Sequence, residues 1–358
     1  MKKSLHDDSA RSYDAVLVVS FGGPEGPDDV MPFLDNVLRG LPIKPESKAH
    51  IAQRYQDFGG VSPINQQVRD FISALRLELD THGPALPIYW GNRNWHPMLT
   101  DTVKQMRDDG IGRVITFVTS LFSSYSGCRK YREDLYAAVA PLENAPIIDK
   151  LRLGYNHPLL IDAVADRARD ALAQLDNADK DTLILFTAHS LPQSMAKNAN
   201  YEMQLQESCQ LVAEALEHSN WKLVYQSNNA SYGRDPWLGP DISEAIATAH
   251  DEGARQLVVS PIGFVCDHME VIIDLDIEAA ETARNLGIKM ARAATVGTHP
   301  AYIQMIRELI IERMTEQPAR KALGNLGPSH DYCPVDCCLS GRPTPAKPSL
   351  CGVDSKTA

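Results

Sequence analysis

The chain has 358 residues, of which 44% are hydrophobic and 23% are charged, as is typical of soluble globular proteins. A net charge of −11 argues against a nucleic-acid-binding protein and against adsorption to an anionic membrane surface. No apolar run approaches the roughly 18 residues of a membrane span, and residues 1–14 lack the apolar core of a signal peptide. We therefore expect a cytoplasmic protein without a transmembrane segment.

Short apolar runs alternate with amphipathic helical patterns along the chain. The predicted strands are Ala15–Phe21, Ile88–Gly91, Arg113–Val118, Thr182–Phe186, Lys222–Gln226, Gln256–Ile262 and Arg292–Val296. The predicted helices include Asn65–Thr81, Pro158–Leu175, Tyr201–His218, Val271–Leu286 and Pro300–Glu316. The strands show little alternation of polar and apolar residues, which favours parallel strands buried on both faces. Repeated βαβ units predict an α/β fold with doubly wound sheets.

The regular pattern breaks near residues 145–160, where two short Asn- and Pro-containing segments occur. We therefore predict two similar α/β domains, over residues 15–155 and 156–317, with the final helix returning to brace the first. Residues 1–14 are expected to form an N-terminal tail. Residues 318–358 form a cysteine-containing extension without a core of its own.

His189 comes three residues after the predicted strand Thr182–Phe186. It therefore lies at the carboxyl end of a parallel strand, where ligands commonly bind. It is either a functional residue or a satisfied structural histidine. No nucleotide-binding glycine fingerprint accompanies the fold; the Gly22-Gly23-Pro24 turn is explained by chain geometry alone.

Glu270, Asp274 and Glu278 are spaced by four residues, so on a helix they form one stripe of carboxylates. Like charges at this spacing repel, which favours a role in handling cations or protons over the alternative of a solvated helix face. His268 lies nearby in sequence, and helical spacing predicts that it faces away from Glu270.

Seven cysteines in a reducing compartment argue against a disulfide framework. Cys333, Cys337, Cys338 and Cys351 lie close together near the C-terminus, and their spacing is not that of a zinc ribbon. Clustered thiolates with a further ligand from elsewhere indicate an iron–sulfur centre; the alternative is a disordered tail with reactive cysteines.

Six motifs, taken together and in order, resemble the ferrochelatases, enzymes that insert Fe²⁺ into a porphyrin. They are Ser20-Phe21-Gly22-Gly23-Pro24, Arg54-Tyr55 with Gly59-Gly60-Val61-Ser62-Pro63-Ile64-Asn65, Gly91-Asn92-Arg93-Asn94-Trp95-His96-Pro97, Ser124-Tyr125-Ser126-Gly127-Cys128-Arg129-Lys130-Tyr131, Ala188-His189-Ser190-Leu191-Pro192 and Gly263-Phe264-Val265-Cys266-Asp267-His268-Met269-Glu270. The likeness covers residues 15–320. It implies two Rossmann-like halves with the porphyrin in the cleft between them.

The resemblance implies that His189 and Glu270 face each other across this cleft as the catalytic pair and bind the Fe²⁺ substrate. Asp274 and Glu278 then form a path for metal entering or protons leaving. Whether His189 acts as the base or as an iron ligand stays open.

The positions that correspond to propionate-binding residues of the family are Arg39, Arg54, Tyr55, Ser62 and Tyr131. Phe21 replaces a metal-ligating tyrosine of some relatives, and Leu41 replaces an arginine. Residues 31–45 lack the apolar lip of membrane-associated relatives, so the chain looks like the soluble bacterial branch that metallates coproporphyrin III. The alternatives are protoporphyrin IX as the substrate, or a non-catalytic heme- or iron-sensing protein.

Some family members hold a [2Fe–2S] cluster with one internal cysteine and three in a C-terminal extension. The resemblance assigns these roles to Cys128 and to Cys333, Cys337 and Cys338, with Cys351 as a substitute. The expected partners are the porphyrin and Fe²⁺, with transient contact to other enzymes of heme synthesis.

Overall fold

The computed structural model describes residues 5–41, 43–176, 178, 181–228, 235–343, 345–350 and 352–353. Its first half contains a four-stranded parallel sheet in the order β2-β1-β3-β4. The strands are β1 (Ala15–Ser20), β2 (Ile88–Asn92), β3 (Arg113–Val118) and β4 (Ile147–Lys150). Strand β1 is buried along its whole length, because its apolar side chains are covered by helices on both faces.

The second half repeats this architecture, with a parallel sheet in the order β6-β5-β7-β8. Its strands are β5 (Leu183–His189), β6 (Trp221–Gln226), β7 (Gln256–Ser260) and β8 (Lys289–Arg292). The prediction of two similar doubly wound halves is therefore confirmed.

Helices cover both faces of each sheet. In the first half they are α1 (Val30–Val37), α2 (Pro45–Gln56), α3 (Ile64–His82), α4 (Leu99–Asp108) and α5 (Lys130–Val139). A short 3₁₀ turn (Pro27–Asp29) precedes α1, and a π-helical turn (Tyr125–Arg129) precedes α5. In the second half they are α6 (Pro158–Leu172), α7 (Gln193–Ala196), α8 (Tyr201–Ala215), α9 (Ile242–Asp251), α10 (Met269–Val271), α11 (Ala280–Asn285) and α12 (Pro300–Met314). A π-helical segment, Ile272–Ala279, joins α10 to α11 into one continuous helix.

Helix α12 packs on α6 and also on α3, so it connects the two halves. Tyr302 of α12 stacks on Phe71 of α3 with ring centroids 5.9 Å apart, and the Arg307 Nε lies 2.7 Å from a carboxylate oxygen of Glu78. The chain passes from the first sheet to the second between residues 150 and 183. The domain boundaries near 155 and 317 stay predictions.

Two edge strands differ from the sequence prediction. Strand β4 was not predicted, and β8 covers Lys289–Arg292 in place of Arg292–Val296. Both are edge strands with one hydrogen-bonded neighbour, and polar residues such as Lys150, Lys289 and Arg292 interrupt any continuous apolar run in them. Apolar runs therefore identified the central strands better than the edges.

The N-terminal segment and the C-terminal extension meet in a buried ion-pair network, which we call the terminal clamp. Asp331 of the extension accepts a hydrogen bond from the Asp7 backbone N–H at 2.9 Å and pairs with Arg320 at 2.9 Å and Arg313 at 3.5 Å. Tyr332 donates to the Asp7 carboxylate at 2.8 Å. Both tails are thus fixed to the end of α12. Every helix in the described part of the chain is too short or too polar to span a bilayer.

Candidate active site

His189 is the last residue of β5, which lies between β6 and β7 in the second sheet. Its Nδ1 lies 2.5 Å from the Ser190 carbonyl oxygen. Because a carbonyl oxygen can only accept a hydrogen bond, Nδ1 carries the proton of the neutral ring and Nε2 keeps a free lone pair. The Tyr201 hydroxyl donates to the His189 backbone oxygen at 2.9 Å and fixes the strand end.

Glu270 faces the free nitrogen of His189: its Oε2 lies 3.6 Å from Nε2. The loop after β7 brings it there, because Gly263 passes so close to β5 that a Cβ would lie 2.7 Å from the Ala188 Cα. The Glu270 side chain is half exposed, so the imidazole–carboxylate pair is open to an incoming ligand. Sequence reasoning identified both residues, and the structure brings them together.

His268 is a third member of this group, which sequence reasoning placed elsewhere. Its Nδ1 lies 3.9 Å from Glu270 Oε2, and its ring packs edge-on against Phe264 at 4.8 Å between centroids. The prediction that it faces away was wrong because His268 precedes the helix in an extended conformation (φ −142°, ψ 178°), so helical spacing does not apply. Burial lowers the pKa of His268, against the opposing charge of Glu270.

Asp274 lies one step along the acidic stripe and is buried. Its Oδ2 accepts a short hydrogen bond from Ser227 Oγ, and Gln226 Nε2 lies 3.5 Å from the same oxygen. Burial raises the pKa of Asp274 to about 6, and the charges of Glu270 and Glu278 act in the same direction. Asp274 and Glu278 lie on the wider turns of the π-helical segment, a form that recurs at functional sites, whereas Glu270 lies on the preceding α10.

Glu278 at the outer end of the stripe is half exposed and pairs with Arg54, a residue of α2 in the other half. Arg54 NH2 lies 2.7 Å from Glu278 Oε1 and 3.4 Å from Asp274 Oδ1. The structure therefore places Arg54 on the acidic stripe. Its predicted contact with a porphyrin propionate stays a prediction.

Aromatic side chains form a wall of the first half beside these residues. The Phe33 ring packs against Tyr55 at 5.7 Å, Phe21 at 6.3 Å and Trp95 at 6.4 Å. Burial raises the pKa of Tyr55, and the charge of Glu270 is the second cause, so this wall lies within the electrostatic reach of the catalytic pair. An apolar wall with few polar groups is what a flat tetrapyrrole requires.

Tyr131, a predicted propionate contact, is only 5% exposed. The Arg93 guanidinium covers its ring at 4.5 Å and lies 5.6 Å from the Phe21 ring. Arg93 is held by Asp134, with Nε 2.7 Å from Oδ2. From sequence, Arg93 was identified only as part of a motif. In the structure its guanidinium lies over the Tyr131 ring and beside Phe21 of the aromatic wall.

Arg39 and Ser62 complete the predicted propionate set. Arg39 is exposed just beyond α1 and donates to Asn36 Oδ1 at 2.5 Å. Ser62 is buried against the Gly22-Gly23-Pro24 turn: its N–H donates to the Pro24 carbonyl at 2.8 Å, and its Cβ would meet any side chain placed at Gly23. The two residues thus lie in different environments, and their contacts with a propionate stay predictions.

The four cysteines assigned to an iron–sulfur cluster lie together, on the surface of the first half where the extension covers α5. Cys128 makes side-chain contacts with Cys333 and Cys338, and Cys337 contacts Cys333 and Cys338, with the last pair of sulfurs 3.4 Å apart. Contacts with Cys128 and Cys337 lower the pKa of Cys333, whereas the pKa of Cys128 is raised to about 12, mainly by Cys333.

His330 also belongs to this thiol group and was missed from sequence. Its side chain contacts Cys333, and the ligand atoms of His330, Cys333 and Cys337 all lie within 4.8 Å of one another. The only sequence signal was its position three residues before Cys333. Cys351, proposed as a substitute ligand, lies outside the described residues.

Two solved structures share this fold. SirB from Bacillus subtilis, solved with Fe³⁺, has a TM-score of 0.53 at 12% sequence identity, over 83% of this chain and 96% of that one. DR2241 from Deinococcus radiodurans, a multi-domain protein with structural similarity to chelatases, has a TM-score of 0.52 at 18% identity. The match covers 89% of this chain and 58% of DR2241. The fold is therefore the two-domain fold of the chelatases.

The ferrochelatase family model matches residues 13–314. The ferrochelatase of Rhodopirellula baltica is 52% identical, over 95% of this chain and 96% of that protein. The coproporphyrin III ferrochelatase of Streptomyces coelicolor is 44% identical, over 98% of both chains. The chain belongs to the ferrochelatase family, and the resemblance inferred from its sequence motifs is confirmed.

Proposed function

We propose that this protein inserts Fe²⁺ into coproporphyrin III in heme synthesis and releases two protons. The observation that carries the proposal is the 3.6 Å approach of His189 Nε2 and Glu270 Oε2 beside an aromatic wall. An imidazole lone pair and a carboxylate at this distance can take up protons or hold a divalent iron.

The chemistry requires a proton acceptor because a free-base porphyrin carries two pyrrole N–H groups. When each N–H bond breaks, its electron pair stays on the pyrrole nitrogen and binds Fe²⁺, while the proton passes to an acceptor. The free lone pair of His189 Nε2 suits this role near neutral pH, and Glu270 stabilises the imidazolium that forms. The same lone pair would be used to bind iron, so the two proposed roles of His189 exclude each other at any one moment.

The acidic stripe supplies the route between this pair and solvent. Asp274, with its pKa raised to about 6, can hold or release a proton near neutral pH, and the half-exposed Glu278 lies at the outer end. Their oxygens are also the ligands that a hydrated hard cation accepts. We propose that iron enters and protons leave along Glu278, Asp274 and Glu270.

The choice of coproporphyrin III rests on the relatives and on charge. Several relatives at 42–44% identity are named coproporphyrin III ferrochelatases. Coproporphyrin III has four propionates and protoporphyrin IX has two, so it gains more from accessible guanidinium groups of the first half, such as the exposed Arg39 and the partly exposed Arg54.

We expect coproporphyrin III to be metallated with a kcat/KM about tenfold above that of protoporphyrin IX, because two additional ion pairs are each worth up to about 1 kcal/mol. Anaerobic steady-state assays with Fe²⁺ and each porphyrin measure this ratio. Preference for protoporphyrin IX would overturn the substrate assignment alone. If neither porphyrin is metallated above the protein-free rate, the enzyme proposal itself is wrong.

The raised pKa of Asp274 predicts a pH-dependent stability. The folded state binds this proton more tightly than the unfolded state, so the stabilisation is present below about pH 4 and is lost as the pH rises through 6. Between pH 4 and pH 8 the free energy of unfolding should fall by roughly 2–3 kcal/mol more in the wild type than in Asp274→Asn. Denaturant unfolding at several pH values measures this difference.

The exposed Asp162→Asn is the matched control and should follow the wild-type curve. Parallel curves for the wild type and Asp274→Asn would show that burial does not shift the protonation of Asp274.

We further propose that Cys128, Cys333, Cys337 and Cys338 hold a [2Fe–2S] cluster. Four cysteine side chains, each in contact with two of the others and three of them on buried residues, fit the ligand requirement of such a cluster. Buried Lys150 also acts electrostatically on Cys128 and Cys333, which favours their negatively charged forms. When bound, the cluster supplies a metal-mediated link between the extension and the first half, together with a one-electron redox centre.

A further inference from the structure

His330, Cys333 and Cys337, which we call the His–Cys triad, bring three metal-binding atoms together in the C-terminal extension. The two sulfurs and one imidazole nitrogen all lie within 4.8 Å of one another. Among the residues that the structure describes, no other set of three or more histidine, cysteine or acidic side chains is gathered so closely. The side chains of His330 and Cys333 are also hydrogen-bonded to each other. The triad shares no residue with the catalytic pair or the acidic stripe.

The spacing within the triad is close to that of ligands around a single metal ion. Zn–S bonds of about 2.3 Å and Zn–N bonds of about 2.0 Å at tetrahedral angles separate the ligand atoms by about 3.5–3.8 Å. The 4.8 Å limit exceeds this spacing by only about 1 Å, so small side-chain rotations would complete the geometry. A [2Fe–2S] cluster instead divides four ligands between two irons, and the four cysteines assigned to it leave His330 without a part.

Backbone hydrogen bonds fix the segment that carries the triad. The Cys337 N–H donates to the Pro334 carbonyl at 3.1 Å and closes the turn between the two cysteines of the triad. The N–H groups of Asp331 and Tyr332 both donate to the Leu5 carbonyl at 3.0 Å. The three ligand atoms are therefore held near one another before a metal arrives, which lowers the entropic cost of binding.

The ligand types and their exposure favour zinc from solution. Two thiolates and an imidazole are ligands that Zn²⁺ prefers, whereas Mg²⁺ and Ca²⁺ prefer oxygen. Cys333 is buried, but His330 and Cys337 are partly exposed, so an ion can reach the triad. We propose that the His–Cys triad binds a single Zn²⁺ in protein that lacks the cluster, with the fourth tetrahedral position taken by water.

The proposed zinc site and the proposed cluster depend on different residues. Zinc requires His330 but not Cys338, whereas the cluster requires Cys338 but not His330. Both use the sulfurs of Cys333 and Cys337, which is why zinc is assigned to the cluster-free protein. The zinc site does not depend on porphyrin metallation, and substitutions of His330 and Cys338 let the zinc and cluster proposals fail separately.

Titration with Co²⁺, a spectroscopic substitute for Zn²⁺, tests the site in full-length Cys338→Ser protein that a chelator has freed of metal. Bound Co²⁺ should give the visible bands of a tetrahedral ion and thiolate-to-metal absorption in the near ultraviolet, and Zn²⁺ should displace it. The nitrogen and oxygen ligands of the catalytic pair do not produce the thiolate absorption. Adding His330→Ala should weaken Co²⁺ binding at least about tenfold, because even the partners of metal ligands change affinity by roughly 10–100-fold. Adding His250→Ala, on α9, should leave the affinity unchanged.

His330→Cys distinguishes metal ligation from a purely structural role. In the same Cys338→Ser protein it supplies a third thiolate, so tetrahedral Co²⁺ binding should return with stronger thiolate absorption than the triad gives. With all cysteines present, His330→Ala should keep the visible absorption of the cluster. The zinc site is overturned if Co²⁺ affinity is the same with and without His330, or if bound Co²⁺ shows no thiolate absorption. It is also overturned if His330→Cys fails to restore binding that His330→Ala has lost.

Discussion

Replacement of His189 by alanine is expected to lower kcat for iron insertion by roughly 10²–10⁴-fold, the usual contribution of a positioned acid–base group. The substitution removes the lone pair that faces Glu270 at 3.6 Å, and no other described imidazole nitrogen lies closer to that carboxylate. Porphyrin affinity, measured by fluorescence quenching, should change by less than about threefold, because the aromatic wall belongs to the other half of the protein.

His250→Ala is the matched control, since this histidine lies on α9 and its ring Nδ1 lies 3.3 Å from the carboxylate of the adjacent Asp251. Its turnover should equal that of the wild type. Added imidazole should restore part of the rate of His189→Ala if the residue acts as a base. Wild-type turnover by His189→Ala would remove the histidine from the mechanism.

Replacement of Cys333 by serine is expected to abolish the visible absorption of freshly purified, iron-replete protein. Cys333 contacts both Cys128 and Cys337, so its loss removes one of the two cysteine contacts between Cys128 and the extension, the other being with Cys338. A cluster with three remaining thiolates loses iron readily, and metal binding free energy then no longer supports the attached segment. Limited proteolysis should therefore cut the extension faster in the variant.

Cys209→Ala provides the control, because this buried cysteine of α8 lies in the apolar core and not in the thiol group. It should keep the wild-type spectrum. If the wild-type protein is colourless although ample iron was supplied during expression, the cluster proposal is wrong.

Much of the fold and the central pair were accessible from sequence because their signals are local. Strands such as β1 and β5 are buried on both faces, so their apolar runs identify them directly. His189 and Glu270 could be placed because His189 ends the parallel strand β5 and Glu270 follows the loop after the neighbouring strand β7. The carboxyl ends of neighbouring parallel strands lie at the same edge of the sheet. The resemblance of their sequence motifs to those of the ferrochelatases then indicated a role in metal insertion.

The remaining site residues depend on contacts that sequence spacing does not encode. Arg54 meets Glu278 across 224 positions of the chain, and this pairing follows from how α2 faces the π-helical segment. His268 was misplaced because helical periodicity was applied one residue before the helix begins. His330 lies beside the cysteines in a segment where the adjacent Asp331 is bound to the N-terminal segment, a contact across 324 positions of the chain.

The terminal clamp also bears on the order in which the parts of the protein can assemble. Asp7 is translated before either α/β half, whereas Asp331 and the three neighbouring cysteines are translated after both halves. Both α/β halves can therefore assemble on the ribosome before the thiol group exists. The proposed iron–sulfur cluster would therefore form after residues 333–338 have been translated, and we expect a chain stalled before Cys333 to bind no iron through Cys128 alone.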